Sequence, residues 1–290
     1  MLKAIMVSHS SQFKLMGLSA DDSFADNPAY TVELALNNLQ QTDDPGARYY
    51  SAWWIGRFRV DDPVAIDALM MALEDESDRS PDGGYPLRRN AAKALGKLGD
   101  RRVVPGLLKA LECPDYYVRE SAAQALEMLG DSRAIESLVK LLDGGVEAAQ
   151  QVTGKPHLVQ PYEAILEALG TLNATEASGL IEPFLEHFIP KVKYAAARAM
   201  YQLTGNDCYG QRLVLALQEK DLQVRRSALM DMGAIGYLNG AEAIANTLAE
   251  NSLKLIALKG ILESHVGQQS VNSGLSEDSI RVMKLMDGLL

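Results

Sequence analysis

One phrase is written four times along this chain. It starts at Leu87 as LRRNAAKALGKLGD, at Val118 as VRESAAQALEMLGD, at Val192 as VKYAAARAMYQLTG and at Val224 as VRRSALMDMGAIG. The first two copies lie 31 residues apart. Self-similarity at a period of about 30 residues marks a solenoid, because a unit that small buries its apolar face only against its neighbours. The period predicts an all-α fold, an α-solenoid of helical repeats wound into a right-handed superhelix. Such an array carries its function on one long curved surface rather than in a single enclosed pocket.

Each unit reads as two helices. The first carries leucines at helical spacing, as in VVPGLLKAL over 103–111. The second carries the repeated phrase, whose alanines let helices approach and whose leucines fill the seam. Gly99 and Gly130 stand where a left-handed residue ends a helix, and Asp100 and Asp131 can cap the next helix. Seven pairs are expected within 28–266, at 28–59, 60–99, 100–130, 131–172, 173–204, 205–236 and 237–266. Residues 1–27 are polar, small and aperiodic and read as an N-terminal arm, after which Asn27 and Pro28 open the first helix. Residues 267–290 read as linker and C-terminal helix. The composition of HVGQQSVNSGLSED (265–278) is that of a flexible connection, and an amphipathic helix runs on from Asp278. That helix either caps the open end of the array or docks on a partner.

Three units place an Asp four residues before the Arg of the phrase: Asp44 and Arg48, Asp115 and Arg119, Asp221 and Arg225. This spacing predicts a ladder of Asp–Arg contacts between neighbouring units, with the arginines as structural rungs. Two units are lengthened, by EDESDRSPDGGYP (74–86) and DGGVEAAQQVTGKPHLVQP (143–161). Both insertions fall between first and second helix, and insertions in a solenoid line one face, often the binding face.

Several function classes are excluded. A net charge of −10 is wrong for non-specific nucleic-acid binding, which needs a basic face. No apolar run approaches the roughly 20 residues of a membrane helix, so no membrane insertion is expected. The N-terminus shows no secretion signal. Cys113 and Cys208 are far apart and form neither a disulfide framework nor a zinc pattern, which suits a reducing cytoplasm. No phosphate loop, HExxH or GxSxG motif occurs. The four histidines lack the paired His-Glu pattern of a metal enzyme, and no metal site is expected.

Candidate chemistry concentrates in RYYSAWWIGRFR (48–59), which holds Tyr49, Tyr50, Trp53, Trp54 and Phe58 beside Arg48, Arg57 and Arg59. Helical spacing puts Tyr50, Trp54 and Arg57 on one face and Tyr49 and Trp53 on another. Flat rings beside guanidinium forks suit a planar, carboxylate-bearing ligand. The same composition suits a protein interface, or rings that fill core. The second insertion brings His157, Tyr162 and Glu163 close in sequence. After the first, Arg88 takes the rung position and leaves Arg89 freer.

The segments YYSAWWIGRFR (49–59), KPHLVQPYEAILEALGTL (155–172) and PKVKYAAARAMYQLTG (190–205) resemble the E subunits of the E/F-type phycobilin lyases, HEAT-like repeat proteins of the phycobilisome lyase group. The likeness runs from about residue 28 to 265. It implies a heterodimer with an F-type subunit that binds a linear tetrapyrrole, phycocyanobilin. The pigment is a transferred substrate, with no cofactor permanently bound, and joins a cysteine of the phycocyanin alpha subunit through a thioether. For such a ligand the residue chemistry suggests roles: Tyr50, Trp53, Trp54, Arg57, Arg89 and Tyr162 are expected to hold the chromophore, and Glu163 or His157 to assist its protonation. Isomerising relatives carry a His-Cys pair in the other subunit, and no adjacent His and Cys occurs here, so plain attachment is expected. Two other readings stay open: a non-catalytic HEAT-repeat adaptor, and a bilin-detaching or chaperone-like relative.

Overall fold

The computed structural model describes residues 30–267 and 274–290. The expected arm at 1–27, the Asn27-Pro28 helix start and most of the linker lie outside the described residues. The helices pair in chain order. The first three pairs are α1 (Val32–Gln40) with α2 (Pro45–Phe58), α3 (Pro63–Leu73) with α4 (Pro86–Leu98), and α5 (Val104–Ala110) with α6 (Tyr116–Leu129). In the fourth, α7 (Ile135–Lys140) is followed by the short α8 (Gly145–Ala148) and then α9 (Tyr162–Thr171). The fifth joins α10 (Ser178–Ile181), flanked by 3-10 turns, to α11 (Pro190–Thr204). Then come α12 (Asp207–Ala216) with α13 (Leu222–Ala234), α14 (Ala241–Asn246) with α15 (Asn251–Gly267), and a last helix, α16 (Glu277–Asp287). Among the described residues the only β pairing is an isolated bridge between Gln151 and Leu158.

The second helices α2, α4, α6, α9, α11, α13 and α15 stack on one another in order, and the first helices lie against them with far sparser mutual contact. Small residues explain the close stacking. A Cβ built on Gly56 of α2 would stand 2.7 Å from Ala94 Cα of α4, and one on Gly170 of α9 would stand 2.6 Å from Ala199 Cα of α11. In a curved solenoid the more tightly spaced row is the inner one, which assigns the second helices to the concave layer. Leucines of both layers, such as Leu69, Leu95, Leu107 and Leu126, are fully buried between them. No described helix is long and apolar enough to cross a membrane.

The Asp–Arg ladder does not form. Asp44, Asp115 and Asp221 turn back on their own helices and accept the backbone N–H of Ala47, Tyr117 and Gln223 as N-caps. The arginines are rungs of another kind. Arg119 donates to the carbonyls of Cys113 and Pro114 in its own pair and of Val159 in the next. Arg225 does the same with Glu219, Lys220 and Leu248. Only Arg48 meets an aspartate, Asp75 of the first insertion, at 2.6 Å. Burial pushes Asp75 up, but Arg48 and the hydrogen bonds from Asp78 and Ser77 outweigh it and hold the carboxyl at about 2.

The array is closed at its C-terminal end. α16 packs on α14 and α15 with Val282 fully buried, and Asn251 Nδ2 donates to the Leu289 carbonyl at 2.9 Å. Residues 265–267, expected in the connection, continue α15.

Candidate functional site

The close contacts put the second helices in register. Gly56 meets Ala94, Gly96 meets Ala125 and Gly170 meets Ala199. The residue two before each of these glycines is therefore one equivalent position, held by Trp54, Ala94, Ala125, Ala168, Ala199 and Asp231. One residue earlier, Trp53, Lys93, Gln124, Glu167, Arg198 and Met230 form a row along the inner face. One turn before that, Tyr49, Arg89, Glu120, Glu163, Tyr194 and Arg226 form a second row. Most of these side chains are half-buried, as the lining of a trough should be.

Midway along the trough an aromatic stack joins three units. The Arg89 guanidinium lies over the Tyr117 ring, 4.6 Å from its centroid. Tyr117 meets Tyr116 edge-on at 5.3 Å, and Tyr116 stacks on His157 at 4.2 Å and 14°. His157 reaches α6 because the second insertion doubles back. The amides of Val152 and Val159 donate to the carbonyls of His157 and Gln150, and Arg119 holds the Gln160 side chain at 2.9 Å. Burial, with Glu120 and Glu163 adding to it, holds the Tyr116 hydroxyl far above its usual range. Burial also pushes Glu163 and Glu120 up, against the pull of Lys191.

Beyond Glu163 a single guanidinium gathers acids from three other helices. Arg198 of α11 donates to Glu127 Oε1 of α6 at 2.5 Å and to Asp231 Oδ1 of α13 at 3.2 Å, and lies 3.3 Å from Glu167 Oε2 of α9. Glu127 also accepts the Thr171 hydroxyl at 2.9 Å. Burial drives Asp231 up to about 6 and Glu167 well above the carboxylate range, with Arg198 opposing in both. A cavity of about 350 Å³ opens beside the cluster, with Glu163, Lys191, Arg226 and Met230 in its lining.

Comparison with known proteins decides the family. The PBS lyase HEAT-like repeat matches residues 47–75 and the HEAT repeats family matches 79–153. The chain is 67% identical over 266 residues to the phycocyanobilin lyase subunit alpha of Synechocystis sp. PCC 6803, covering 91% of this chain and 98% of that relative. It belongs to the phycocyanobilin lyase alpha-subunit family. The bilin biosynthesis protein PecE of Nostoc sp. PCC 7120 is more distant, at 42% over 246 residues, 84% of this chain and 91% of that one. A chain in the solved complex of CpcE and CpcF of phycocyanin lyase from Nostoc sp. PCC7120 superposes with a TM-score of 0.85 at 60% identity. The match covers 94% of this chain and all of that chain, 100%.

In this lyase-family trough the expected site residues divide into three places. Arg89, His157 and Glu163 come together around Tyr116 and Tyr117. Trp53 lies further along, in the inner row, and is 42% exposed. Arg57 is exposed in the last turn of α2, in register with Thr171 and Gln202, whose side chains bond each other at 3.4 Å. Tyr50 and Trp54 face elsewhere. Their counterparts Asn90 and Ala94 touch the preceding unit, so in the first pair these rings cover the N-terminal end of the stack. There Tyr50 and Trp54 meet Tyr30 at 5.0 and 5.3 Å.

Tyr162 requires a correction. It is 1% exposed, packs on Phe184 at 5.3 Å and cannot touch a ligand. The reason is register: Tyr162 takes the rung position of Arg88 and Arg119, which points between pairs rather than into the lyase trough. Sequence reasoning grouped Tyr49 with Trp53 without giving it a role, and passed over Tyr116, Tyr117, Glu120 and the Arg198 cluster. The signal for the inner-row members was available in the phrase, at its third and seventh positions.

Proposed function

We propose that this chain is the E-type half of a heterodimeric lyase that holds phycocyanobilin along its trough. With an F-type subunit it attaches the pigment to a cysteine of the phycocyanin alpha subunit, in the cytoplasm. The observation that carries this reading is likeness over nearly the full length to phycocyanobilin lyase alpha subunits, 67% in the Synechocystis relative. The trough supplies the chemistry such a reaction needs. The acceptor thiol adds across the ethylidene double bond of the pigment, a reaction with no leaving group, so the protein's task is to position, shield and protonate.

Trp53 and Tyr49 offer ring faces to the pyrroles at one end. Arg57, Arg89 and Lys191 suit the propionates, Arg89 best because its guanidinium is already held in place over the Tyr117 ring. Glu163, half-buried and with its carboxyl pushed up by burial, lines the trough where it can assist protonation of the pyrrole system, and Tyr116 stands between it and His157. The test is co-expression with an F-type subunit and apo-phycocyanin alpha in cells making phycocyanobilin. The expected product keeps its visible absorption after denaturation. A colourless acceptor, with both subunits folded and paired, would refute the reading.

A further inference from the structure

The Arg198 cluster departs from the repeat at positions where packing asks for small residues. Glu127 stands where Gly56, Gly96 and Gly170 stand in other second helices, and Asp231 stands where Ala94, Ala125, Ala168 and Ala199 do. Both acids reach the same guanidinium, and Glu167 completes the set. A structural tie needs one carboxylate per arginine. Here three meet one, with side-chain exposures of 15%, 16% and 8% for Glu127, Glu167 and Asp231. Glu163 adds a fourth negative charge that acts on both Glu167 and Asp231. The other cations nearby do not balance the account. Lys191 acts on Glu163, Arg226 is paired with Glu250, and α15 contributes the apolar Leu253 to the cavity. Carboxylates crowded in a shielded place do not all ionise, and the proton they retain belongs to the group rather than to one member.

We propose that Glu167 and Asp231, bridged by Arg198, hold a shared proton and deliver it through Glu167 to the tetrapyrrole in the trough. The proposal rests on the bilin reading above. Glu167 is the donor, because it lies in the inner row and is the more exposed of the two; Asp231 is the positioning partner that refills it. The step balances. The thiol sulfur forms one C–S bond to the ethylidene carbon, and the π pair of that double bond ends in a C–H bond to the delivered proton. The proton lost by the thiol returns to the Glu167–Asp231 pair, so S–H has added across C=C and the cluster is unchanged.

The experiment uses the assembled heterodimer with phycocyanobilin, as wild type, Glu167→Gln and Asp231→Asn, and follows visible absorption against pH. Wild type is expected to keep the pigment in its protonated, red-shifted form to a pH about one unit higher than either variant does. Glu167→Gln should slow transfer to the apo acceptor about 100-fold while pigment affinity stays nearly constant. Infrared difference spectra of the wild-type pair at pH 7 supply a readout that needs no variant: a protonated-carboxyl stretch that changes when pigment binds. Absence of that band, or a Glu167→Gln pair with wild-type titration and transfer, overturns the proposal and leaves the bilin reading standing. A wild-type pair that takes up no pigment overturns both.

Discussion

Gly96 of α4 lies backbone to backbone against Ala125 of α6: a Cβ built on Gly96 would stand 2.7 Å from Ala125 Cα. Gly96→Ala would gain up to about 1 kcal/mol of helix propensity. The clash is with main chain and cannot be relieved by a rotamer, and overpacking of this kind costs about 1–3 kcal/mol or more. The clash should win. Urea titration followed by circular dichroism is expected to show a lower midpoint for Gly96→Ala with native helix content at zero urea.

Arg198→Met leaves Glu127, Glu167 and Asp231 buried without their cation. Removing one partner of a buried ion pair costs about 3–5 kcal/mol at neutral pH. The sign of the pH dependence is distinctive. Asp231, already raised from 3.8 to about 6 with Arg198 opposing the rise, and Glu167 go higher still without it, so the variant's native state binds more protons than its unfolded chain above about pH 4 and its stability rises as pH falls toward that value. Thermal melts at pH 7 and pH 5 should show the gap from wild type narrowing at the lower pH.

Asp75 gives the opposite sign. Its ordinary value of 3.8 is depressed to about 2 in the folded chain. Ionised Asp75 therefore stabilises the fold above about pH 4, and that contribution is lost as pH falls from about 4 to about 2. Asp75→Asn should be less stable than wild type at pH 6, with the two converging through that acid window in matched urea titrations.

Trp53 and Tyr162 separate ligand contact from packing. Trp53→Ala should weaken phycocyanobilin uptake by the heterodimer with little change in melting temperature. Tyr162→Phe should bind pigment as wild type does, whereas Tyr162→Ala should lose about 3–5 kcal/mol of stability, as buried aromatics do. Absorption titration beside thermal melts distinguishes the two, and equal loss of affinity in Trp53→Ala and Tyr162→Phe would contradict the assignment.

Most of the architecture was legible because the repeated phrase encodes its own packing: alanine where a neighbour touches, leucine in the seam, glycine at the stop. The errors have local causes. An Asp four residues before an Arg fits an ion pair, but it fits an N-cap equally well, and the cap is nearer. The fourth unit begins its second helix with Pro161-Tyr162 in place of the usual Val-Arg, which hid the fact that Tyr162 stands on a rung. Helical spacing correctly grouped Tyr50 with Trp54, yet spacing within one helix cannot say that this face looks along the stack instead of across it. Arg198 and Glu127 are 71 residues apart, and no local pattern connects them. The trace they leave is an acid at a position that the first, second, fourth and sixth pairs give to glycine, as Gly56, Gly96, Gly170 and Gly233.

That long-range contact alters how the array should come apart. A solenoid in which each unit touches only the next can fray from its ends, one pair at a time. Arg198 belongs to the fifth pair and Glu127 to the third, so the bond between them passes over the fourth. Opening any one of these three pairs strands a charge in another. The middle of the molecule should therefore behave as one cooperative block in amide exchange, with the stretch around Glu127, Glu167 and Arg198 the last part to loosen.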